Sequence, residues 1–169
     1  MNLGEPSRNK FLKLIKLYKN FDETTALNNV SLTVSKGEVI CLIGPSGCGK
    51  STLLRSINWL TPPDFGTVKL EGKIIGAISK NGKNSENLNS INSIRARIGM
   101  VFQQFNVWPH LSVLENVVCA QLVVAKRSRE EAEIKAIKML SEVGLSDRFD
   151  DRPDNLSGGQ KQRLAIARS

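Results

Sequence analysis

Short apolar runs and alternating patterns predict β-strands in the first part of the chain. Residues 38–43 (EVICLI) form a nearly continuous apolar run, which is typical of a strand buried on both faces. Residues 98–102 (IGMVF) predict a second buried strand, whereas residues 30–34 (VSLTV) alternate between apolar and polar as a half-buried strand does. A small hairpin is predicted over residues 68–75, with its turn around Gly72.

Residues 10–19 (KFLKLIKLYK) have a pattern that fits two structures. A lysine at every third position describes a basic interfacial helix, while the short length and the aromatic and branched residues describe an edge strand. We favour the strand, because it would open a hairpin with residues 30–34. Residues 1–9 are predicted to be a loose tail, residues 79–93 a long surface loop rich in Asn, Ser, Gly and Lys, and residues 94–97 a helical turn.

Helical periodicity replaces these patterns in the second part of the chain. A Ser followed three residues later by Glu or Gln is a capping box, which marks a helix start. This pattern occurs at Ser112, Ser128 and Ser157, and Gly144 is predicted to end the second of the three helices.

Composition narrows the classes of protein. The 169 residues suit one domain, and 40% apolar residues are enough for a core. No window resembles a membrane span or a signal peptide, so we expect a cytoplasmic protein. The spacing of Cys41, Cys48 and Cys119 is not that of a metal site, and we expect reduced thiols. The net charge of +8 favours anionic partners, although an aromatic content of only 5% argues against nucleic acid.

Residues 44–52 (GPSGCGKST) fit the phosphate-loop pattern G-x-x-x-x-G-K-[ST], between the predicted strand 38–43 and a predicted helix. Glycines let the backbone curl so that N–H groups form an anion nest, and the helix adds its positive end. Lys50 can reach the β- and γ-phosphates of a nucleotide, and the Ser51 hydroxyl can ligate Mg²⁺. The plainer alternative is a glycine-rich turn before a surface lysine, which the strand–loop–helix context disfavours. The predicted nucleotide contacts are Gly44, Pro45, Ser46, Gly47, Cys48, Gly49, Lys50, Ser51 and Thr52.

Residues 156–160 (LSGGQ) form a second candidate phosphate-contact site. Gly158 and Gly159 at a helix N-terminus leave backbone N–H groups open to an anion. Ser157 and Gln160 also satisfy a capping box, so an ordinary helix cap explains the same residues equally well.

Because the pattern LSGGQ-x-Q-R follows a phosphate loop and a helical insertion, the chain resembles the ATP-binding subunits of ABC transporters over residues 11–169. Residues 44–52 match that family's Walker A motif. Residues 100–105 (MVFQQF) look like its Q-loop, which makes Gln103 similar to the ligand of Mg²⁺ and of the attacking water. Phe21 falls where the family places an aromatic ring that stacks on adenine, with Tyr18 as a close competitor. The resemblance implies an incomplete α/β fold, with a P-loop NTPase core of the ABC ATPase type, an antiparallel β N-terminal part and a helical subdomain.

Three segments resemble the sequences of ATPases of bacterial polar amino-acid importers: GPSGCGKSTLLRSIN, IGMVFQQFNVWPHLSVLENV and LSGGQKQRLAIARS. This resemblance implies that two copies sandwich two ATP molecules, so that Ser157, Gly158, Gly159 and Gln160 of one copy face the nucleotide held by the other. It further implies permease subunits that contact residues 107–110, indirectly a substrate-binding protein, and a peripheral position on the cytoplasmic face of the membrane.

The chain departs from the family in one respect. Its residues end at Ser169, before the family's Walker B Asp, its catalytic Glu and its switch histidine, and His110 in the Q-loop region is no substitute. We therefore expect a domain truncated at its C-terminal side, with a β and P-loop part over residues 1–103, a helical subdomain over 104–156 and a signature helix over 157–169. We also expect poor stability on its own.

Two alternatives to an importer ATPase follow. One is a nucleotide-binding fragment that does not hydrolyse ATP, and the other is an ABC ATPase outside transport. The importer-like Q-loop region disfavours the second alternative.

Overall fold

The computed structural model describes residues 10–78, 91–92 and 95–169, which fall into two compact units, one up to Ile98 and one from Gly99 to Ser169. The predicted tail 1–9, nearly all of the predicted loop 79–93 and the start of the predicted turn 94–97 lie outside the described residues. Each unit has its own apolar core.

The first unit contains a four-stranded antiparallel sheet. Its strands are β1 (Lys10–Phe21), β2 (Thr24–Ser35), β3 (Phe65–Leu70) and β4 (Lys73–Ile78), in the order β2-β1-β3-β4. The strand interpretation of residues 10–19 and the hairpin over 68–75 are thereby confirmed.

The lysine repeat in β1 is compatible with a strand because the strand contains a bulge. Lys13 is exposed and Leu14 is buried, as alternation requires. Lys16 then adopts a left-handed conformation with φ 48°, and the pairing register shifts there. This shift turns Leu17 into the core and leaves Lys16 in solvent.

The core of the first unit joins buried residues of this sheet to Leu53 of helix α1 (Lys50–Ile57). Trp59, which follows α1, packs on the backbone of Gly76 in β4, where an added Cβ would lie 2.3 Å from the indole ring. The buried members of this core are Leu14, Leu17, Leu27, Leu53, Trp59, Val68, Leu70, Ile75 and Ile91.

The predicted strands over residues 38–43 and 98–102 are wrong: both segments are irregular in the structure. Leu42 packs partly against the core, but Val39 and Ile43 are 92% and 91% exposed. An apolar run favours burial, whereas a strand needs a neighbouring backbone to pair with its N–H and C=O groups. None of the four strands of the described sheet provides that pairing for either segment.

The second unit is helical. Its helices are α2 (Val113–Val123), α3 (Arg129–Glu142) and α4 (Gly158–Arg168), with a 3₁₀ turn at Pro153–Asn155. The capping boxes predicted at Ser112, Ser128 and Ser157 are all present, and Gly144 follows α3 with φ 69°. The core between these helices includes Val117, Ala136, Leu140, Leu145 and Leu164. Among the described residues, no helix has the length and apolarity needed to cross a membrane.

Candidate functional site

The phosphate loop leads directly into α1, as the sequence predicts. The helix begins at Lys50, and Gly49 is its N-cap with φ 91°, a left-handed value that favours glycine. An added Cβ on Gly49 would lie 2.3 Å from the carbonyl oxygen of Ala26 in β2. The loop therefore passes so close to β2 that only glycine fits without movement of the backbone.

The Lys50 side chain curls back into the loop. Its ammonium donates hydrogen bonds to the carbonyl oxygens of Gly44 (2.8 Å) and Pro45 (2.6 Å) and lies 3.4 Å from the Cys48 sulfur. The first N–H groups of α1 have no acceptor within the helix, because the preceding turn is missing there. A cation and a set of backbone donors thus converge on this loop, which is an arrangement that suits phosphate.

The residues that follow Lys50 fit a magnesium ion that is held largely by phosphate. Ser51 is exposed and Thr52 is half-buried in the first turn of α1. Within the described ranges, no group of three or more His, Cys, Asp or Glu residues gathers as a metal site. Mg²⁺ that accompanies a nucleotide needs only one or two protein oxygens besides phosphate and water, and the Ser51 hydroxyl fits that role.

The two candidate adenine-stacking rings differ in their surroundings. Tyr18 is half-buried, and its ring lies 5.8 Å from that of Phe65 at an interplanar angle of 54°. Phe21 is 47% exposed at the end of β1 and pairs across the hairpin with Thr24. Of the two rings, Phe21 therefore offers more free surface to a ligand.

The hairpin also places Phe21 near the phosphate loop. Thr24, its partner in β2, precedes Ala26 by two residues, a distance of roughly 7 Å along a strand. Ala26 in turn touches Gly49 of the loop. Phe21 and the N-terminus of α1 thus lie at the same end of β2.

Lys19 and Asp64 are two residues near Phe21 that belong to none of the motifs described above. The Lys19 ammonium is 2.7 Å from the Asp64 carboxylate and 5.4 Å from the centre of the Phe21 ring. Burial acts to raise the pKa of Asp64, but the N–H of Asn20 and the Lys19 ammonium hold that pKa below its usual value. No local pattern could have revealed this pair, because its members lie 45 residues apart in sequence.

In the second unit, Gln103 is exposed on an irregular segment, so the buried strand predicted to end there is absent. The two residues that follow Gln104, Phe105 and Asn106, are both left-handed, with φ 59° and 52°. Their carbonyl oxygens accept hydrogen bonds from the Arg168 guanidinium at the end of α4. That guanidinium also lies over the Trp108 ring at 4.8 Å, and its burial lowers the pKa of Arg168.

A buried amide fixes the next part of this segment. Asn116 of α2 is fully buried, and its side chain bonds both the N–H and the C=O of Trp108, at 2.8 and 3.0 Å. The same amide donates to the carbonyl oxygens of Leu111 and Ser112. Residues 105–112 are therefore held by both α4 and α2, although they form no helix or strand.

The LSGGQ segment starts α4 in the predicted way. The Ser157 hydroxyl accepts from the N–H of Gln160, and the Gln160 side chain accepts from the N–H of Ser157. Ser157, Gly158 and Gly159 are exposed, and a Cβ added to either glycine would meet nothing within 4 Å. The cap is thus formed, and the backbone beside it is open to a ligand.

Comparison with known proteins places the chain in a class. A family model described as "ABC transporter" matches residues 27–169, and the chain belongs to this family. It is 44% identical over 158 residues to the arginine transport ATP-binding protein ArtM of Bacillus subtilis, covering 94% of this chain and 62% of ArtM. It is 43% identical over 166 residues to the histidine/lysine/arginine/ornithine transport ATP-binding protein HisP of Escherichia coli, covering 96% of this chain and 64% of HisP.

A solved structure has the same fold. The dimeric post-hydrolysis state of the ATP-binding cassette MJ0796, bound to ADP and Pi, matches with a TM-score of 0.78 and 38% identity, over 93% of this chain and 68% of that one. The chain therefore belongs to the ABC ATPase family and is related to amino-acid importer ATPases, and it spans 62–64% of the length of the two curated relatives.

Proposed function

We propose that this chain is the ATP-binding part of an ABC importer subunit for polar amino acids. The observation that carries the proposal is the Lys50 ammonium, which lies among the carbonyl groups of the glycine loop at the start of α1. The transport substrates named for the relatives, which are arginine for one and four basic or imidazole amino acids for the other, support the substrate class.

Nucleotide binding exchanges the partners of Lys50. The ammonium leaves the carbonyls of Gly44 and Pro45 for the β- and γ-phosphates, whose charge repels carbonyl oxygen and attracts the cation. Backbone N–H groups of residues 47–52 and the positive end of α1 hold the phosphates. The Ser51 hydroxyl would hold Mg²⁺, which would offset the charge of the phosphates, and adenine would stack on Phe21.

The signature and the Q-loop segment complete the proposed site. Ser157, Gly158 and Gly159, with Gln160 as their cap partner, face the nucleotide of a second copy, in keeping with the dimer described for MJ0796. As the resemblance to the family implies, the Gln103 side chain would supply an oxygen for Mg²⁺ and for the attacking water. The permease contact is assigned to residues 107–110, which would place the subunit on the cytoplasmic face of the membrane.

The test is nucleotide affinity in matched lysine variants. We expect Lys50→Ala to weaken binding of Mg-ATP at least about tenfold in calorimetry, because charge-assisted hydrogen bonds to phosphate are lost. Lys36→Ala removes an exposed lysine from the turn after β2 and serves as the control, with unchanged affinity. Equal affinities in the two variants would contradict the proposal.

A second candidate is a nucleotide-binding module that does not hydrolyse ATP. The short span relative to the curated relatives favours it for residues 1–169. Phosphate release by this polypeptide above the level of its Lys50→Ala variant would rule the candidate out, while tight ATP binding with no such release would support it.

A further inference from the structure

The end of β1 is tied to the loop after α1 at a single residue. Asp64 donates its backbone N–H to the carbonyl oxygen of Tyr18 at 2.7 Å. Its carboxylate accepts from the N–H of Asn20 and from the Lys19 ammonium, each also at 2.7 Å. Three consecutive residues of β1, the last three before Phe21, are thus bound by one aspartate.

The ion pair also fixes what lies against the Phe21 ring. Lys19 and Phe21 are two residues apart near the end of β1, where the pairing register shifts between Lys19 and Asn20. The ammonium lies 5.4 Å from the ring centre, within the distance of a cation–π contact. The Lys19 side chain is only 17% exposed, so the pair is partly shielded from solvent. Without the Asp64 carboxylate, the ammonium would turn toward water.

We propose that Lys19 and Asp64 are positioning residues that hold Phe21 in the orientation in which the nucleotide base stacks on it. The inference rests on the proposed function, since it assumes that a nucleotide binds at the phosphate loop. Stacking on a ring that is already fixed gains more affinity, because less side-chain entropy is lost on binding. The pair therefore contributes to the affinity for the base and not to the affinity for the phosphates.

The two contributions are separated by two ligands, Mg-ATP and magnesium tripolyphosphate, which carries the phosphates without the base. In calorimetry, we expect Asp64→Ala and Lys19→Met each to weaken ATP binding about fivefold, because part of the stacking free energy of the base is lost. Both variants should leave tripolyphosphate binding unchanged. Lys19→Arg keeps the cation and retains ATP affinity. Lys13→Met, which removes an exposed lysine of the same strand, leaves both affinities unchanged.

A double-mutant cycle tests whether the effect passes through Phe21. Phe21→Ala should weaken ATP binding and spare tripolyphosphate. In that background, Asp64→Ala should have no further effect on ATP, because the ring that it positions is gone. If Asp64→Ala unfolds the chain, Asp64→Asn takes its place, since it keeps an acceptor for the Asn20 N–H and removes only the charge.

Several outcomes would overturn the inference. If Asp64→Ala weakened the binding of ATP and of tripolyphosphate equally, Asp64 would have a general structural role. If the effects of Asp64→Ala and Phe21→Ala on ATP affinity were additive, Asp64 would act on ATP binding without the Phe21 ring. Unchanged ATP affinity in Asp64→Ala and Lys19→Met would remove the inference while leaving the proposed function intact. Failure of the unmodified chain to bind either ligand would overturn both.

Discussion

Gly49 tolerates a side chain less well than Gly47 does, although both lie in the phosphate loop. It combines a left-handed φ of 91° with a close approach to the carbonyl oxygen of Ala26. Gly47 also has a positive φ, 82°, but a Cβ there would meet nothing within 4 Å. A side chain at Gly47 would therefore meet only backbone strain, whereas a side chain at Gly49 would meet both backbone strain and a steric clash.

At this scale, we predict that Gly49→Ala is far more damaging than Gly47→Ala. Each alanine costs about 1–2 kcal/mol for its left-handed conformation, and only the Gly49 variant must also push β2 away. Chemical denaturation should show a larger loss of unfolding free energy for Gly49→Ala, accompanied by loss of ATP binding. Equal losses in the two variants would mean that the contact with Ala26 has no energetic weight.

Helix α2 stabilises a neighbouring segment that has no regular structure. The side chain of Asn116 replaces the hydrogen bonds that a strand or helix would have supplied around Trp108. A buried amide with this many partners is costly to remove, because the groups that it satisfies lose their bonds.

We therefore predict that Asn116→Leu lowers the unfolding free energy by about 1–3 kcal/mol, although leucine is apolar and of similar size. Chymotrypsin should also cleave after Phe105 faster than in the unmodified chain, whereas Pro109 protects the bond after Trp108 in both proteins. Asn155→Leu, at an exposed position, is the matched control and should change neither denaturation nor cleavage. Slow cleavage in Asn116→Leu would contradict the anchoring role.

The elements differ in how far the sequence could predict them. Helix starts at Ser112, Ser128 and Ser157 depend on contacts three residues apart, which a local pattern contains. Strand formation at residues 38–43 depends on a neighbouring backbone, which no local pattern reports. The Lys19–Asp64 pair could not be predicted for the same reason, because its members are distant in sequence. The glycine loop before α1 could be predicted because its residues are consecutive.

For the molecule as a whole, the segment 38–43 is the main exposed apolar feature of the first unit. Val39 and Ile43 are almost fully exposed, and no described strand pairs with the segment. An apolar segment with unpaired backbone groups is a template for association with other chains. Val123 and Val124 are exposed too, at 70% and 57%, but they lie at the end of α2, where helical hydrogen bonds continue through Val124.

We predict that the 169-residue polypeptide binds a hydrophobic dye and self-associates through residues 38–43. The double substitution Val39→Ser and Ile43→Ser should reduce dye fluorescence and aggregation measured by light scattering. The same change at Val123 and Val124 should have a smaller effect on aggregation, since the backbone there is satisfied. A larger effect from the helical pair would show that apolar area alone controls association.

The stacking of Arg168 over Trp108 has a spectroscopic consequence. The chain has two tryptophans, and each unit contains one of them, Trp59 buried at 6% exposure and Trp108 at 38%. The buried indole emits at shorter wavelength and is shielded from a dissolved quencher, while the indole beside the guanidinium is accessible to an anionic one such as iodide. Intrinsic fluorescence thus gives each unit its own optical reporter, without any added label.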